Sequence, residues 1–201
     1  MSKMSKKKVI GITGSMGSGK SEISRYLRNK YPVLDCDQVN ADLLKKGNLG
    51  YEKLKKMNIV ELDSNGQIIK ESLASYMFSN IEHRKQVEAI LHPLIFDEMH
   101  KWIHEQESLI VFVEMPILFE ISAQEHFDSI WCVVADLDVA LSRLQTYRNF
   151  TREQALARLV SQMNPEEKMA KSNIVLRNNS TVEQLHMQIE DALKEEKLNG
   201  D

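Results

Sequence analysis

The sequence predicts an α/β fold in which a parallel β-sheet is covered by helices. The first observation is a set of five short apolar runs, separated by segments with helical spacing, at residues 9–12, 33–36, 109–113, 130–134 and 174–176. Such alternation is typical of parallel sheets, whose strands are buried on both faces. The second is a glycine-rich turn that follows the first run directly. The third is the length of 201 residues, which suits one core better than two ordinary domains.

The glycine-rich turn occupies residues 14–21 and reads Gly-Ser-Met-Gly-Ser-Gly-Lys-Ser, the spacing of a P-loop. In this motif successive glycines let backbone amides converge on phosphate oxygens, and the following helix adds its positive end. The lysine contacts the outer phosphates, and the hydroxyl after it binds Mg²⁺. A plain strand-to-helix turn would explain the glycines but not Lys20 and Ser21. The motif predicts a nucleotide phosphate site at Gly14, Gly17, Ser18, Gly19, Lys20, Ser21 and Glu22.

Three later helices have recognisable starts. Thr151 with Gln154, and Ser180 with the glutamate three residues later, have the spacing of a capping box. Asn164 precedes Pro165, and proline is favoured in the first turn of a helix. We therefore expect helices to begin just after Thr151, Asn164 and Ser180.

We expect a single domain over residues 1–201, with two helical insertions. Its core comprises about residues 8–37, 108–142 and 172–201. The first insertion, about residues 38–107, is interrupted by a turn at 63–66 and is too long for a simple crossover. It would shape a second pocket. The second insertion covers about residues 143–171.

Two aspartates stand at the end of the second predicted strand. Ligands of open parallel sheets bind at the carboxyl ends of strands, and alternation along a strand would point Asp35 and Asp37 to the same side. One carboxylate could accept the proton of a hydroxyl that attacks the γ-phosphate, while its neighbour holds Mg²⁺ through water. Alternatively, Asp37 merely caps a helix that begins near Val39. The spacing alone leaves both interpretations open.

Further charged residues are placed to assist phosphoryl transfer. Glu114 ends the strongest apolar run, where P-loop enzymes commonly have a carboxylate near Mg²⁺; the alternative is an edge acid without a partner. Cations could neutralise the transferring phosphate, although charges on an exposed helix usually only solvate it. The second insertion offers Arg143, Arg148, Arg152 and Arg158. Arg143 is the first candidate.

Composition argues against several classes of partner. The formal charge is −3, from 26 Lys and Arg against 29 Asp and Glu, so no bulk positive field attracts nucleic acid or a membrane. Residues 1–8 are interpreted as a solvated tail, and no run reaches the ~18 apolar residues of a membrane span. Cys36 and Cys132 lack metal-ligand spacing. We expect a cytoplasmic protein without nucleic-acid or membrane partners, either a monomer or a weak homo-oligomer.

Taken together, these motifs resemble the dephospho-coenzyme A kinase family, P-loop enzymes that add the last phosphate to coenzyme A. The resemblance runs almost from end to end of the chain. Its segments are residues 11–14 leading into 17–21, then 34–37, 91–93, 116–120, 143–144, 155–159 with Gln162, and Asn178. The P-loop is shared by many families, whereas Leu-His-Pro at 91–93 and Pro-Ile-Leu-Phe-Glu at 116–120 are far more particular.

The resemblance implies a P-loop NTPase-type core, a helical insertion that binds the acceptor, and a helical lid. It implies Mg²⁺ and ATP as donor, and the ribose 3′-hydroxyl of dephospho-coenzyme A as acceptor. Asp37 would be the base, Lys20 and Arg143 would assist catalysis, and Asn178 would join the nucleotide site. The implied acceptor residues are Asp35, Asp37, His92, Pro116, Leu118 and Glu120. Considered alone, His92 fits a capping or core position equally well.

Four sites depart from the family pattern, and the first is Glu22, which stands where threonine or a small residue is common. Tyr147, followed by Arg148, stands where a second lid arginine is usual. Residues 57–58 are Met-Asn in place of Phe-Gly, and residues 172–173 are Ser-Asn in place of Ala-Asp. These changes affect the lid contacts and the packing of the insertion, and they leave Lys20, Ser21, Asp37 and Arg143 intact.

Two other functions are compatible with a P-loop. The first is another small-molecule kinase, with a nucleoside-type acceptor, since a P-loop does not specify the acceptor. The second is a nucleotide-dependent switch protein. Asp-Ser-Asn-Gly at 63–66 matches the Asp-x-x-Gly element of GTPases, but the sequence contains no Asn-Lys-x-Asp motif for reading guanine.

Overall fold

The computed structural model describes residues 7–198. Within them the strands are β1 (Lys8–Gly14), β2 (Val33–Asp35), β3 (Ile110–Glu114), β4 (Ser129–Val134) and β5 (Ile174–Arg177). They form a parallel sheet in the order β2-β3-β1-β4-β5. Each strand coincides with one of the predicted apolar runs, so the predicted fold class is confirmed.

Helices connect the strands. They are α1 (Lys20–Leu27), α2 (Cys36–Leu43), α3 (Leu49–Lys56), α4 (Lys70–Ser79), α5 (Ile81–Glu105), α6 (Leu137–Arg148), α7 (Arg152–Val160), α8 (Pro165–Ala170) and α9 (Val182–Leu198). The chain divides into two compact units. The first contains the sheet and comprises the chain up to Leu34 and from Gln106 onward, and the second is Asp35–Glu105.

The core of the first unit is built on alternate strand residues. Ile10 and Ile12 of β1 are fully buried in one cluster with Ile23 of α1 and Ile189 of α9. The residue between them, Gly11, belongs to the opposite face, because side chains alternate along a strand. A Cβ on Gly11 would lie 2.8 Å from Leu118 Cδ1 and 3.0 Å from Phe127. A side chain at this position would therefore require the core to move.

The second unit consists of α2 to α5 around a separate apolar cluster. Its buried members are Leu54, Ile59, Leu73, Val87 and Leu91. The turn predicted at 63–66 is confirmed, since Asp63 Oδ1 accepts from the amides of Asn65 at 2.8 Å and Gln67 at 2.9 Å. This carboxylate closes a local turn.

Two of the three predicted helix starts are confirmed. Thr151 and Gln154 form a complete capping box at α7, and the Asn164 side chain accepts from the Glu166 amide at α8. The predicted cap at Ser180 is wrong by one residue. Thr181 Oγ1 accepts the Gln184 amide at 3.3 Å. Adjacent hydroxyl residues offered the same spacing, so the pattern could not separate them.

The predicted tail lies partly outside the described residues, since residues 1–6 are not among them. Lys8 belongs to β1, and its Nζ pairs with Glu196 Oε2 at 2.7 Å, so the tail prediction is wrong at this residue. Cys36 and Cys132 are both free and buried. In residues 7–198, no helix is long and apolar enough to cross a membrane.

Candidate active site

The P-loop joins the carboxyl end of β1 to the amino end of α1, as predicted. Gly14 and Gly19 have positive φ angles of 147° and 97°. A Cβ on Gly14 would lie 2.2 Å from the Val133 carbonyl oxygen, and one on Gly19 would lie 2.0 Å from Asn178 Nδ2. Glycine alone fits both positions without strain or collision. The curl of the loop therefore depends on residues that lack side chains.

The P-loop lysine begins α1 and is only 9% exposed. Its Nζ donates to the carbonyl oxygens of Gly14 at 2.8 Å and Ser15 at 3.0 Å. The ammonium of Lys20 therefore lies across the start of the loop. Both carbonyls are partners that phosphate oxygens can replace.

Arg143 lies within α6 and contacts the P-loop from outside. Its Nη1 donates to the carbonyl oxygens of Gly17 and Ser18, both at 3.3 Å. Its Nη2 donates to the backbone and side-chain oxygens of Asn178 at 3.0 and 3.1 Å. Asn178 Nδ2 in turn donates to the Ser18 carbonyl at 2.9 Å. The structure thus brings together on the loop Arg143, the first candidate among the insertion arginines, and Asn178, which the resemblance alone had indicated.

Ser18 carries a buried hydroxyl that has no hydrogen-bond partner within residues 7–198. The residue is 1% exposed, and its Oγ makes no hydrogen bond with any described residue. An unsatisfied buried hydroxyl destabilises the folded state and calls for an explanation other than stability. Beside it lies a cavity of about 600 Å³, lined by Ser15, Met16 and Ser18, by residues 134–137 and by parts of α7 and α8.

The two predicted metal-binding residues are tied to the same helix. Ser21 is exposed in the first turn of α1. Glu114 ends β3 and is 7% exposed, and its Oε2 accepts from Ser24 Oγ of α1 at 2.6 Å. Hydroxyl and carboxylate oxygens are ligands that Mg²⁺ takes, either directly or through water. The donor set therefore fits Mg²⁺, and Ser24, which holds Glu114, is a residue that sequence reasoning missed.

Glu22 was also predicted to join the nucleotide site. Its carboxylate contacts Arg25 on the same helix and lies 3.4 Å from His186 Nε2 of α9, and the predicted role at the nucleotide stays a prediction. The side chain therefore makes its described contacts along α1 and α9.

The segment after β3 is tied to β1 and to α8. The carbonyl oxygen of Pro116 accepts from Thr13 Oγ1 at 3.1 Å and from Lys168 Nζ at 3.0 Å. Lys168 is fully buried, and its Nζ lies 2.8 Å from Glu120 Oε1. The same Glu120 oxygen accepts the Met163 amide at 3.2 Å. No motif pointed to Lys168, because its partners are remote in sequence.

Two predicted acceptor residues in this segment have different surroundings. Leu118 is fully buried, and its side chain packs over Gly11 in the core. Glu120 is partly exposed, and its Oε2 is buried without a hydrogen-bond partner among the described residues. Of the two, Glu120 is the better placed to bind a polar group.

In the second unit, Asp35 caps α2. Its Oδ1 accepts from the amides of Asp37 at 2.9 Å and Gln38 at 3.3 Å. Because α2 begins at Cys36, the prediction that Asp35 and Asp37 alternate along a strand is wrong. The alternative that Asp37 caps a helix near Val39 is also wrong. Asp37 lies exposed in the first turn of α2.

His92 lies in the middle of α5, so the alternative that it is a cap is wrong. Burial lowers the pKa of its imidazole; Glu88 opposes this effect and Arg84 adds to it. The half-buried ring therefore favours its neutral form. A core role and an acceptor-binding role both remain compatible with this position.

The remaining arginines of the second insertion make their described contacts elsewhere. Arg152 lies 3.8 Å from Asp138, and the Arg158 guanidinium lies 4.6 Å from the centre of the Phe150 ring. Arg148 is exposed at the last position of α6. Among the described contacts of the four predicted arginines, those of Arg143 reach the P-loop.

The departure at residues 172–173 has a structural explanation. Ser172 Oγ donates to the Lys168 carbonyl at 2.7 Å, and Asn173 Oδ1 accepts the Ile130 amide at 2.8 Å. Both side chains therefore hold the start of β5 in place. Tyr147, at the other departure in the lid, is 78% exposed.

A parallel sheet of this order, with a P-loop after β1, is the fold of the P-loop kinases. The model of the dephospho-CoA kinase family matches residues 8–184. A dephospho-CoA kinase of Streptococcus pyogenes is 35% identical over 190 residues, which cover 92% of this chain and 96% of that protein. The chain belongs to the dephospho-CoA kinase family. It is thus an enzyme of coenzyme A biosynthesis, and the other two functions considered are not favoured.

Solved structures share the fold of this chain. A crystal structure of a Thermus thermophilus protein superposes with a TM-score of 0.83 at 32% identity, covering 94% of this chain and 98% of that one. Dephospho-CoA kinase from Campylobacter jejuni gives a TM-score of 0.70 at 22% identity, covering 97% of this chain and 100% of that one. At this lower identity the second match shows the fold alone.

Proposed function

We propose that the protein transfers the γ-phosphate of ATP to the ribose 3′-hydroxyl of dephospho-coenzyme A, giving coenzyme A and ADP. The observation that carries the proposal is a complete P-loop, with Lys20 against the carbonyls of Gly14 and Ser15, in a member of this kinase family. Positioning and electrostatics supply most of the rate in phosphoryl transfer. The roles of individual residues follow from that requirement.

The donor is bound by the P-loop. Its amides and the amino end of α1 bind the phosphates, and Lys20 exchanges its carbonyl partners for β- and γ-phosphate oxygens. A Mg²⁺ ion at this site would supply positive charge that offsets the charge of the phosphates. The Ser21 hydroxyl would hold this ion directly. Glu114, steadied by Ser24, would hold it through water.

Arg143 and Asn178 support the loop and complete the donor site. In the described structure the guanidinium donates to carbonyl oxygens of Gly17, Ser18 and Asn178. These are neutral acceptors, so an anionic phosphate oxygen is a stronger partner for Arg143. We expect the guanidinium to turn to the transferring phosphate when the lid closes, an event that also excludes water.

The acceptor is bound and activated by residues that follow β2 and β3. Asp37 accepts the proton of the attacking hydroxyl, and Asp35 supports it by fixing the first turn of α2 through the Asp37 amide. The unpartnered Oε2 of Glu120 would accept a hydrogen bond from the acceptor. Further contacts are assigned to His92, Pro116 and Leu118, of which Leu118 contributes through packing.

The expected setting is the cytoplasm. ATP is the donor, and the free thiols of Cys36 and Cys132 suit a reducing compartment. We expect a monomer or a weak homo-oligomer.

The direct test is coupled ADP release from Mg²⁺ and ATP, with and without dephospho-coenzyme A, with the product identified by mass. The proposal predicts a strong acceptor-dependent rate, with coenzyme A as product. ADP release that does not respond to dephospho-coenzyme A would contradict it. Omitting Mg²⁺ in the presence of a chelator should abolish turnover, because the phosphate charge would then lack its main counterion.

The role of Asp37 is tested by Asp37→Asn. The carboxamide keeps the size of the side chain and removes the base, so kcat should fall by about 10²- to 10⁴-fold while the nucleotide Kd changes by less than about threefold. The matched control is Asp42→Asn, which makes the same change later in α2. Equal losses of kcat and nucleotide affinity in Asp37→Asn would instead indicate a structural role.

A further inference from the structure

Lys168 differs from the other charged residues of the lid in its burial and contacts. Lysine is almost never fully buried unless it is paired, and Lys168 is 0% exposed. Its Nζ donates to the Pro116 carbonyl at 3.0 Å and lies 2.8 Å from Glu120 Oε1. A buried ion pair is weak evidence for stability, because desolvation offsets much of the attraction. The location of the pair is therefore more informative than its energy.

The first hydrogen bond of Lys168, to the Pro116 carbonyl oxygen, connects it to β1, the strand that precedes the P-loop. The Pro116 carbonyl oxygen also accepts from Thr13 Oγ1 at 3.1 Å. Thr13 directly precedes Gly14, the first residue of the motif. Lys168 and Thr13 thus share one oxygen, and α8 is joined through it to the start of the loop.

The second partner of Lys168, the Glu120 carboxylate, connects it to Met16 within the P-loop. Glu120 Oε1 accepts from Lys168 and from the Met163 amide, the latter at 3.2 Å. The neighbouring residue, Gln162, accepts the Met16 amide of the P-loop through its Oε1 at 2.9 Å. One ammonium therefore connects to residue 13 by one route and to residue 16 by another.

Between these two anchors lie Gly14 and Ser15, whose carbonyl oxygens hold Lys20 Nζ at 2.8 and 3.0 Å. We propose that Lys168 is a positioning residue for phosphoryl transfer, which fixes the start of the P-loop and with it the location of the Lys20 ammonium. This inference rests on the proposed function. Lys168 acts through Pro116 and Glu120 and is not itself a catalytic group.

The test compares Lys168→Met with Lys8→Met. Lys8 also forms an ion pair with a buried glutamate in the same unit, but at the amino ends of the strands, away from the P-loop. Lys8→Met therefore controls for the loss of a lysine–glutamate pair. Lys168→Met should lower kcat by about tenfold or more and change both KM values by less than about threefold, because misplacing a reacting group mainly raises the barrier. Lys8→Met should keep the wild-type kcat below its unfolding transition.

Lys168→Met leaves the Glu120 charge unpaired and can prevent folding. The double variant Lys168→Met with Glu120→Gln removes both charges, and its kcat should fall by about tenfold or more relative to Glu120→Gln alone, because the contact to Pro116 is still absent. A folded variant of either kind with wild-type kcat would overturn the inference, as would an equal loss of kcat in Lys8→Met.

Amide hydrogen exchange of the free protein separates this inference from the proposed function. The peptide that contains Met16 should exchange faster in Lys168→Met than in Lys8→Met, whatever substrate the enzyme uses. Wild-type protein without acceptor-dependent ADP release would contradict the proposed function, and the exchange comparison would still decide the role of Lys168. Equal exchange at Met16 in the two variants would overturn that role.

Discussion

The sheet has an amino edge, where its parallel strands begin, and a carboxyl edge, where they end. The two edges differ in how their buried polar groups are satisfied. At the amino ends of the strands, Glu196 of α9 accepts from Ser129 Oγ and from Trp131 Nε1, the latter at 2.8 Å. Its other oxygen pairs with Lys8 Nζ at 2.7 Å, and the same Nζ donates to the Glu196 carbonyl at 2.8 Å. Both carboxylate oxygens of this nearly buried glutamate are therefore satisfied.

At the carboxyl ends of the strands the buried groups are only partly satisfied. Ser18 Oγ and Glu120 Oε2 have no hydrogen-bond partner among the described residues. Gly14 and Gly19 adopt positive φ angles, and their positions leave no room for a Cβ. A polar group that is buried without a partner lowers stability, and a ligand that binds there is one explanation for it.

The difference shows how one sheet divides stability and function between its edges. The amino edge can be fully satisfied because no substrate has to enter there. The carboxyl edge must leave hydrogen-bonding capacity for phosphate and acceptor, in keeping with the general location of ligands in open parallel sheets. Substitutions at the two edges should therefore separate into effects on unfolding and effects on turnover.

The largest expected effect on stability is at Glu196. Glu196→Leu leaves Lys8, Ser129 and Trp131 without their shared acceptor, and breaking a buried ion pair costs about 3–5 kcal/mol of unfolding free energy. Urea denaturation measures this loss, with Glu195→Leu at the exposed neighbouring position as control. The kcat of folded Glu196→Leu should equal that of the wild type. A loss of kcat in the folded variant would break the separation between the two edges.

A smaller effect on stability comes from pH. Burial raises the pKa of the Glu196 carboxyl, but hydrogen bonds from Lys8, Ser129 and Trp131 outweigh burial, so the net pKa is lowered. Its contribution is therefore fully present above the unfolded pKa of about 4.3 and is lost as the pH falls through the lower folded value. The difference in unfolding free energy between wild type and Glu196→Gln should shrink over this range. A difference that grows with falling pH would contradict the assignment.

The smallest expected effect on stability is at Ser18. Ser18→Ala removes a buried hydroxyl that has no partner in the described part of the chain, so the unfolding free energy should stay within about 0.5 kcal/mol of wild type or rise slightly. Ser24→Ala is the matched control. Its hydroxyl is equally buried but donates to Glu114 at 2.6 Å, and its loss should cost about 1–3 kcal/mol. Equal losses in the two variants would show that the Ser18 hydroxyl is satisfied in solution.

Features that depend on local spacing could be predicted from the sequence. The P-loop, the strands around it and the capping box at Thr151 are defined by residues close together in the chain. Where adjacent residues offered the same chemistry, the prediction was ambiguous. Asp35 rather than Asp37 caps α2, and Thr181 rather than Ser180 caps α9, because the exact end of a strand or start of a helix is set by tertiary packing.

Features that depend on contacts between distant segments could not be predicted. Lys168 meets Pro116, and Glu196 meets Trp131, only after the chain has folded. Nothing in the spacing of these residues marks them as partners. The donors to Glu196 and the links from Lys168 to the P-loop therefore became visible only in the structure.

The most direct test of the account compares Lys20→Met with Lys8→Met, the same substitution at the two edges of the sheet. For each variant, acceptor-dependent ADP release and urea denaturation are measured on the same preparation. We predict that Lys20→Met loses about 10²-fold or more in kcat with little change in unfolding free energy, while Lys8→Met loses stability and keeps its kcat. A Lys20→Met variant that retains turnover, or a folded Lys8→Met variant that loses it, would contradict the division between the edges.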